Sequence, residues 1–288
     1  MRGTSRRRRA LGQHFLVDEG IAAEIVRMAK LRGRERVLEI GPGYGTLTKF
    51  LCYSSELVYA VEKDKRLFRY LRRRPWKNLV LIEGDALKID FPEVDKLVSN
   101  PPFSISSGLI FKFLEEGIEE GVITLQREFA HRLTAEPGSR EYGRLTLATK
   151  ALAKVEILGE VPRECFSPPP KVEISLVRIT RRNKPLVENK DVFLDVVKAL
   201  FIHRGKKVKN SFEKSLPIVF DVGKSEVERI IGEIGPLSHR KVYSLTLDEV
   251  REISEVVASV LNRDGLRSFG GSLSTSGRQH IASGKPRG

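Results

Sequence analysis

The sequence predicts an α/β fold, a mostly parallel sheet flanked by helices, followed by a small C-terminal domain that is wholly α-helical. Two observations carry this. Through the first two thirds of the chain, short apolar runs of strand length alternate with loops and helical patterns. After Arg181-Arg182-Asn183-Lys184-Pro185 the strand-like runs stop and only helical spacing remains. At 288 residues, a prior of about 100–200 residues per domain gives two domains. The boundaries fall at 11–184 for the sheet domain and 185–263 for the helical one, between a basic arm (1–10) and a basic tail (264–288).

Asp18 can cap a helix whose apolar residues Ile21, Ile25 and Met28 recur at helical spacing, and Gly33 ends it. Val37-Leu38-Glu39-Ile40 is a buried strand leading into Gly41-Pro42-Gly43-Tyr44-Gly45, where glycines let the backbone turn sharply and approach a ligand. The position where a dinucleotide fingerprint wants its last glycine is Thr46, which weakens a nicotinamide-cofactor reading. The second strand, 57–61, delivers Glu62, placed to accept hydrogen bonds from ribose hydroxyls; the third, 79–82, leads to Gly84-Asp85-Ala86, where Asp85 can read an adenine amino group. Each acid alone is equally explained as the cap of the next helix; the succession of strand ends favours a nucleoside site.

The fourth strand, 96–99, ends in Asn100-Pro101-Pro102-Phe103. Consecutive prolines fix φ and hold the residue before them extended, so the carbonyls point in set directions. An exocyclic adenine amine is a poor nucleophile because its lone pair is delocalised into the ring. The Asn100 side-chain oxygen and the Pro101 carbonyl can accept both of its N–H bonds and free that lone pair, while Phe103 offers a stacking face for an extruded base. A fifth strand at 122–125 follows, then a pair at 151–161 and 173–179, which predicts one late antiparallel strand. Helices are expected at 192–202 and 207–216, with capping-box starts at Ser225-x-x-Glu228 and Thr246-x-x-Glu249.

Taken in order, Gly12-Gln-His-Phe-Leu16, the Glu-x-Gly-x-Gly-x-Gly loop, Val61-Glu-Lys-Asp64, Gly84-Asp85-Ala86, Asn-Pro-Pro-Phe, 125–133, Tyr142-Gly-Arg-Leu145 and Phe166-Ser-Pro-Pro-Pro-Lys-Val172 resemble the KsgA family of small-subunit ribosomal RNA adenine dimethyltransferases, in an archaeal-like form, over 11–263. The resemblance implies a Rossmann-like methyltransferase sheet that uses S-adenosyl-L-methionine to dimethylate two adjacent adenosines near the 3′ end of small-subunit rRNA. It implies cofactor contacts at His14, Leu16, Gly41, Gly43, Glu62, Asp85 and Asn100, with Asn100, Pro101 and Phe103 at the catalytic step. Phe166 matches an aromatic that faces the target base opposite Phe103. The family often reads Asn-Leu-Pro-Tyr, so Pro101 and Phe103 are variants: the stacking face is kept and a phenol hydroxyl is lost.

The charge agrees with an RNA partner. The chain carries 51 basic and 37 acidic residues, a formal +14, and residues 1–10 and 263–288 hold nine of those charges. Arm and tail read as disordered, the arm as a phosphate-contacting segment. Arg72-Arg73-Arg74 suits the C-terminus of a helix begun near Asp64, where the helix dipole accounts for it. Arg204-Gly-Lys206-Lys207-Val-Lys209, in the helical domain, is the expected rRNA contact. Cys52 and Cys165 lack metal or disulfide spacing and are expected as buried thiols, and the five histidines form no ligand pair. No apolar run approaches the ~18 residues of a membrane span, so a cytoplasmic enzyme, monomeric and without metal, is expected. Three Gln, six Asn, two Cys and two Met among so many charged residues suit a heat-loving source. A large-subunit adenine methyltransferase of the resistance type and a noncatalytic assembly factor are the alternative readings.

Overall fold

The protein, described as a computed structural model, is defined over residues 14–263; the basic arm and tail lie outside the described residues. In chain order the strands are β1 (Phe15–Leu16), β2 (Arg36–Ile40), β3 (Leu57–Glu62), β4 (Leu79–Glu83), β5 (Lys96–Ser99), β6 (Glu120–Gln126), β7 (Ala153–Val161), β8 (Phe166–Ser167) and β9 (Ile174–Arg181). Between and after them run α1 (Glu19–Met28), α2 (Thr46–Ser54), α3 (Lys65–Leu71), α4 (Ser106–Glu116), α5 (Arg127–Thr134), α6 (Arg144–Leu152), α7 (Lys190–Ile202), α8 (Val208–Phe220), α9 (Lys224–Glu233) and α10 (Leu247–Arg263).

Seven strands form one sheet in the order β4-β3-β2-β5-β6-β9-β7, and β9 runs opposite to the other six, the late antiparallel strand expected. Because successive strand residues face opposite ways, the sheet divides its apolar residues between two cores. Val37, Val58, Val98 and Val122 pack with α1 and α2 on one face. Leu38, Leu97, Ile123 and Val177 point to the other, where the core continues without a break from α4 and α6 into Phe193, Phe212, Ile230 and Val257 of the C-terminal helices. Each such side chain, fully buried, contributes about 1.5–3 kcal/mol.

A charged ladder fixes α1 to the sheet. Glu120 pairs with Lys96 (2.9 Å) and Arg178 (3.7 Å), and Arg178 reaches on to Glu156 (2.9 Å). The two cations also donate to the last carbonyls of α1, Lys96 to Ala29 (2.7 Å) and Arg178 to Met28 (2.6 Å). Cations at a helix C-terminus complement its dipole.

Most expected elements are present, with three shifts. Asp18 caps α1 through a bond from Ile21 N (2.8 Å), but the helix closes at Met28, and Gly33 turns at φ +80° in the loop beyond. α8 runs past Pro217 to Phe220, because the proline lies on its exposed side while Val219 and Phe220 are buried. α9 starts one residue before Ser225, with Gly223 as its cap, whereas Thr246 and Glu249 form the expected reciprocal box. Cys52 and Cys165 are free and only partly buried; burial nonetheless pushes the Cys52 thiol up to about 12.

Candidate active site

The Gly-rich loop joins β2 to α2, and the Asn-Pro-Pro-Phe turn follows β5, the next strand in the sheet. Ser99, the last residue of β5, binds the two strands at this edge: its hydroxyl donates to the Ile40 carbonyl (2.7 Å) and accepts from Ile40 N (3.2 Å). Both loops therefore open onto one cleft at the carboxyl ends of the strands, where open α/β sheets bind ligands. The cleft contains about 500 Å³, part of it open to solvent, and is lined by His14, Phe15, Leu16, Glu39, Gly41, Pro42, Gly43, Tyr44, Thr46, Leu47, Glu62, Asn100 and Pro102.

Gly41 and Gly43 have φ of +70° and +62°, a region that disfavours side chains. A Cβ on Gly43 would also lie 2.8 Å from the Phe15 ring, and one on Gly41 3.0 Å from Pro102. Two buried acids face the loop. Glu62 accepts from Gly43 N (3.2 Å) and Asp64 N (2.8 Å), and burial raises its pKa despite those bonds. Glu39 is 1 % exposed; burial, with the charge of Glu62 beside it, pushes its carboxyl up to about 8, and its Oε2 lacks a hydrogen-bond partner among the described residues.

Asn100 is held at both ends of its amide. Thr124 Oγ1 donates to Asn100 Oδ1, and Asn100 Nδ2 donates to the His14 carbonyl (3.2 Å). Thr124 lies on β6, whose register with β5 pairs Ser99 with Ile123, so the next residue of each strand meets across the sheet end. An amide oxygen has two lone pairs, so Oδ1 keeps one acceptor direction after Thr124 has taken the other. Pro101 is buried behind it, and the Pro102 carbonyl closes a tight turn by accepting from Ile105 N (3.1 Å). Phe103 is half-buried with one face covered by the His14 ring, stacked at 5.5 Å and 28°. His14 is itself anchored by donating from Nδ1 to the Pro168 carbonyl (2.7 Å).

The cleft thus brings together His14, Leu16, Gly41, Gly43, Glu62 and Asn100. Asp85 stands just outside its lining, at the end of the β4 loop. There Asp85 pairs with Lys63 (2.8 Å) and accepts from Leu87 N (3.1 Å). Partial burial works to raise its pKa, but Lys63 and the Leu87 N–H together hold it below the usual range.

Two expected site residues lie elsewhere than at the cleft surface. Phe166 does not face the cleft: β8 pairs antiparallel with β1, the exposed Ser167 takes the outward side of that strand, and the Phe166 ring is 1 % exposed in the same buried cluster as Leu16 and Ile25. In this conformation it has no face for a base. Arg204, expected at rRNA, turns Nε and one terminal nitrogen inward. Its guanidinium donates to the carbonyls of Ser139 (2.6 Å), Tyr142 (3.1 Å) and Arg140 (3.3 Å) and stacks over Tyr243, fastening the segment after α7 to the loop before α6. Lys206 and Lys207 are exposed and Lys209 half-buried. Sequence reasoning missed Thr124, which reads as an ordinary strand residue, and Glu39, whose place at a strand end before the glycines was the available signal.

Known proteins resemble this chain in sequence and in fold. A probable ribosomal RNA small subunit methyltransferase A of Thermococcus onnurineus is 42% identical over 246 residues, 84% of this chain and 89% of the relative. A protein of the same name from Methanopyrus kandleri is 40% identical over 264 residues, 89% and 94% of the two chains. Among solved structures, a dimethyladenosine transferase from Plasmodium falciparum matches with a TM-score of 0.74 at 27% identity, covering 89% of this chain and all of that one. The 23S rRNA methyltransferase ErmE matches with a TM-score of 0.60 at 28% identity, covering 85% and 99%. The sequence profile of the ribosomal RNA adenine dimethylases aligns with residues 4–229, the motif-bearing sheet and the first helices after it, and the chain belongs to that family.

Proposed function

We propose that this enzyme dimethylates the N6 amines of two adjacent adenosines near the 3′ end of small-subunit rRNA. The observation that carries the reading is Asn100, fixed at the cleft by Thr124 and His14 with one acceptor direction of its amide oxygen left over. That lone pair, with the Pro101 carbonyl beside it, can accept the two N–H bonds of an adenine amine and turn its nitrogen lone pair outward. Positioning and electrostatics then supply most of the acceleration.

S-adenosyl-L-methionine is the methyl donor, and the residues present suit it. It supplies a methyl group on a cationic sulfonium, already an excellent leaving group. The glycine cradle is closed to any side chain, and the cleft offers a buried acid, Glu39, with an unpartnered oxygen to a ligand that carries positive charge. Glu62 retains lone pairs for ribose hydroxyls, and Asp85 at the edge can receive an adenine amino group.

The relatives' names favour the small subunit. The 23S rRNA methyltransferase ErmE has the same overall fold with a lower TM-score than the dimethyladenosine transferase, 0.60 against 0.74. We read the enzyme as a cytoplasmic monomer contacting rRNA through Lys206, Lys207 and Lys209. Among the described residues no helix is long and apolar enough to cross a membrane. The test is methyl transfer from labelled donor into unmethylated small and large subunits, followed by nucleoside analysis. Dimethyladenosine from the small subunit alone is expected; label confined to the large subunit would overturn the reading. Asn100→Ala should abolish most turnover while leaving RNA binding intact.

A further inference from the structure

We infer that the surface formed by α3 and the turn after it is a second rRNA-contacting face, one that holds an unpaired stretch of rRNA flanking the target adenosines. The inference rests on the proposed rRNA substrate and on three features of the surface.

The first is charge. Residues 65–82 contain seven lysines and arginines and no acid. The cations nearest the cleft are neutralised, Lys63 by Asp85, Lys65 by Glu83 and Arg66 by Asp64. Beyond them Arg69, Arg72, Arg73 and Lys77 are exposed and have no carboxylate partner among the described residues. The helix dipole explains one or two cations at the end of α3, not a run continuing to Lys77. Four unpaired cations along one edge fit a phosphate backbone.

The second is the aromatic ladder that joins this edge to the active site. Phe15 and Tyr44, both lining the cleft, meet edge to face at 4.9 Å; Tyr44 meets Tyr70 at 5.6 Å; and the Arg74 guanidinium lies over the Tyr70 ring at 4.3 Å. Tyr44 and Tyr70 are 37% and 38% exposed, so the ladder is a surface feature and not core. Exposed rings and arginine planes interleaved with cations are what single-stranded nucleic acid stacks on, at about 1–3 kcal/mol per base.

The third is shape. Behind the ladder an open groove of about 600 Å³ is lined by Phe68, Leu71, Arg72, Arg74, Trp76, Leu79 and Leu81. Trp76 forms its inner wall and also abuts the cofactor loop, since a Cβ on Gly45 would meet the indole at 2.7 Å. In the sheet order α3 follows β3, on the far side of the Gly loop from Asn100. A strand whose target base enters beside Asn100 and continues across the cleft mouth therefore runs over Tyr44 onto Tyr70 and Arg74. Protein partners fit less well, because 65–82 carries seven cations and no acid, and charged residues are depleted at the core of protein interfaces.

The test is the triple variant Arg69→Gln, Arg73→Gln, Lys77→Gln in the full chain. All three positions are exposed and touch neither cleft nor Asn100. The KM for unmethylated small subunits should rise about ten-fold, with kcat and cofactor affinity unchanged, and the slope of log binding constant against log salt should become shallower by about 2. An unchanged KM and slope would overturn the proposal. Photo-crosslinking of the unaltered enzyme on small subunits should give rRNA adducts within 69–77; adducts there with protein only, or rRNA adducts confined to 206–209, would also overturn it. If the unaltered enzyme makes no dimethyladenosine, the substrate reading fails first and this surface with it. An active parent with an insensitive triple variant removes the surface alone.

Discussion

Glu39 offers a test that reads the site through stability. Its carboxyl has an unfolded value of 4.5 and is pushed up to about 8 in the folded chain, chiefly by burial. Below pH 4.5 both states are protonated and the group costs nothing. As pH rises from 4.5 to about 8 the unfolded chain releases the proton while the folded chain keeps it, so stability falls, and above 8 the loss levels off. At 1.36 kcal/mol per unit, the loss between pH 5 and pH 7.5 is at most about 3 kcal/mol. For a chain of this size that corresponds to roughly 6–12 °C in Tm. Glu39→Gln keeps the shape and removes the titration. Thermal melts of parent and variant, without cofactor, should therefore diverge steadily as pH rises, the variant gaining on the parent, whatever constant offset the amide introduces at pH 5. Curves that stay parallel from pH 5 to pH 8 would show that Glu39 is ionised in the folded chain and refute the burial argument. The same group predicts that cofactor affinity of the parent rises with pH up to about 8, as the carboxylate form becomes available.

Other outcomes follow from contacts in and around the cleft. Thr124→Val removes the hydroxyl that orients Asn100 while keeping the volume; kcat should fall about ten-fold, a loss of ~1.4 kcal/mol, with cofactor affinity unchanged and Thr124→Ser restoring most of the rate. Equal losses in both variants would point to packing instead. Gly43→Ala adds strain of about 1–2 kcal/mol at its positive φ and a collision with Phe15, so titration calorimetry should show cofactor binding weakened at least ten-fold with the fold retained. Arg204→Ala strips donors from the three carbonyls before α6 and should cost about 1–3 kcal/mol, seen as a lowered Tm, whereas Lys207→Ala should leave Tm unaltered and weaken RNA binding.

The sheet was legible because its strands are short apolar runs ending in residues of distinct chemistry. Gly41, Glu62 and Asn100 all sit at strand ends, and strand ends of a parallel sheet share one edge, so reading the strands already brought these candidate residues together. What period and motif could not resolve was which way a side chain faces. Phe166 lies in a two-residue strand, where one step of register decides between cleft and core, and the pairing of β8 with β1 turns it inward. Arg204 belongs to a basic run that reads as solvated, and only the fold brings the 139–142 carbonyls to it. Thr124 is a β-branched residue in a buried strand, the commonest of structural residues; its hydroxyl acquires meaning from the neighbouring strand's register.

The unbroken core beneath the sheet and the C-terminal helices has a mechanical consequence. Phe193, Phe212 and Ile230 belong to the same apolar cluster as Leu38 and Leu97, and Arg204 bolts the junction from outside. The enzyme is in this respect a rigid gauge, with the span from the helical segment to Asn100 set by interior packing. Swinging one half of the protein against the other to serve two adjacent adenosines would have to break that shared core. The expected travel is therefore the RNA's, re-seated by one nucleotide between the two methylations.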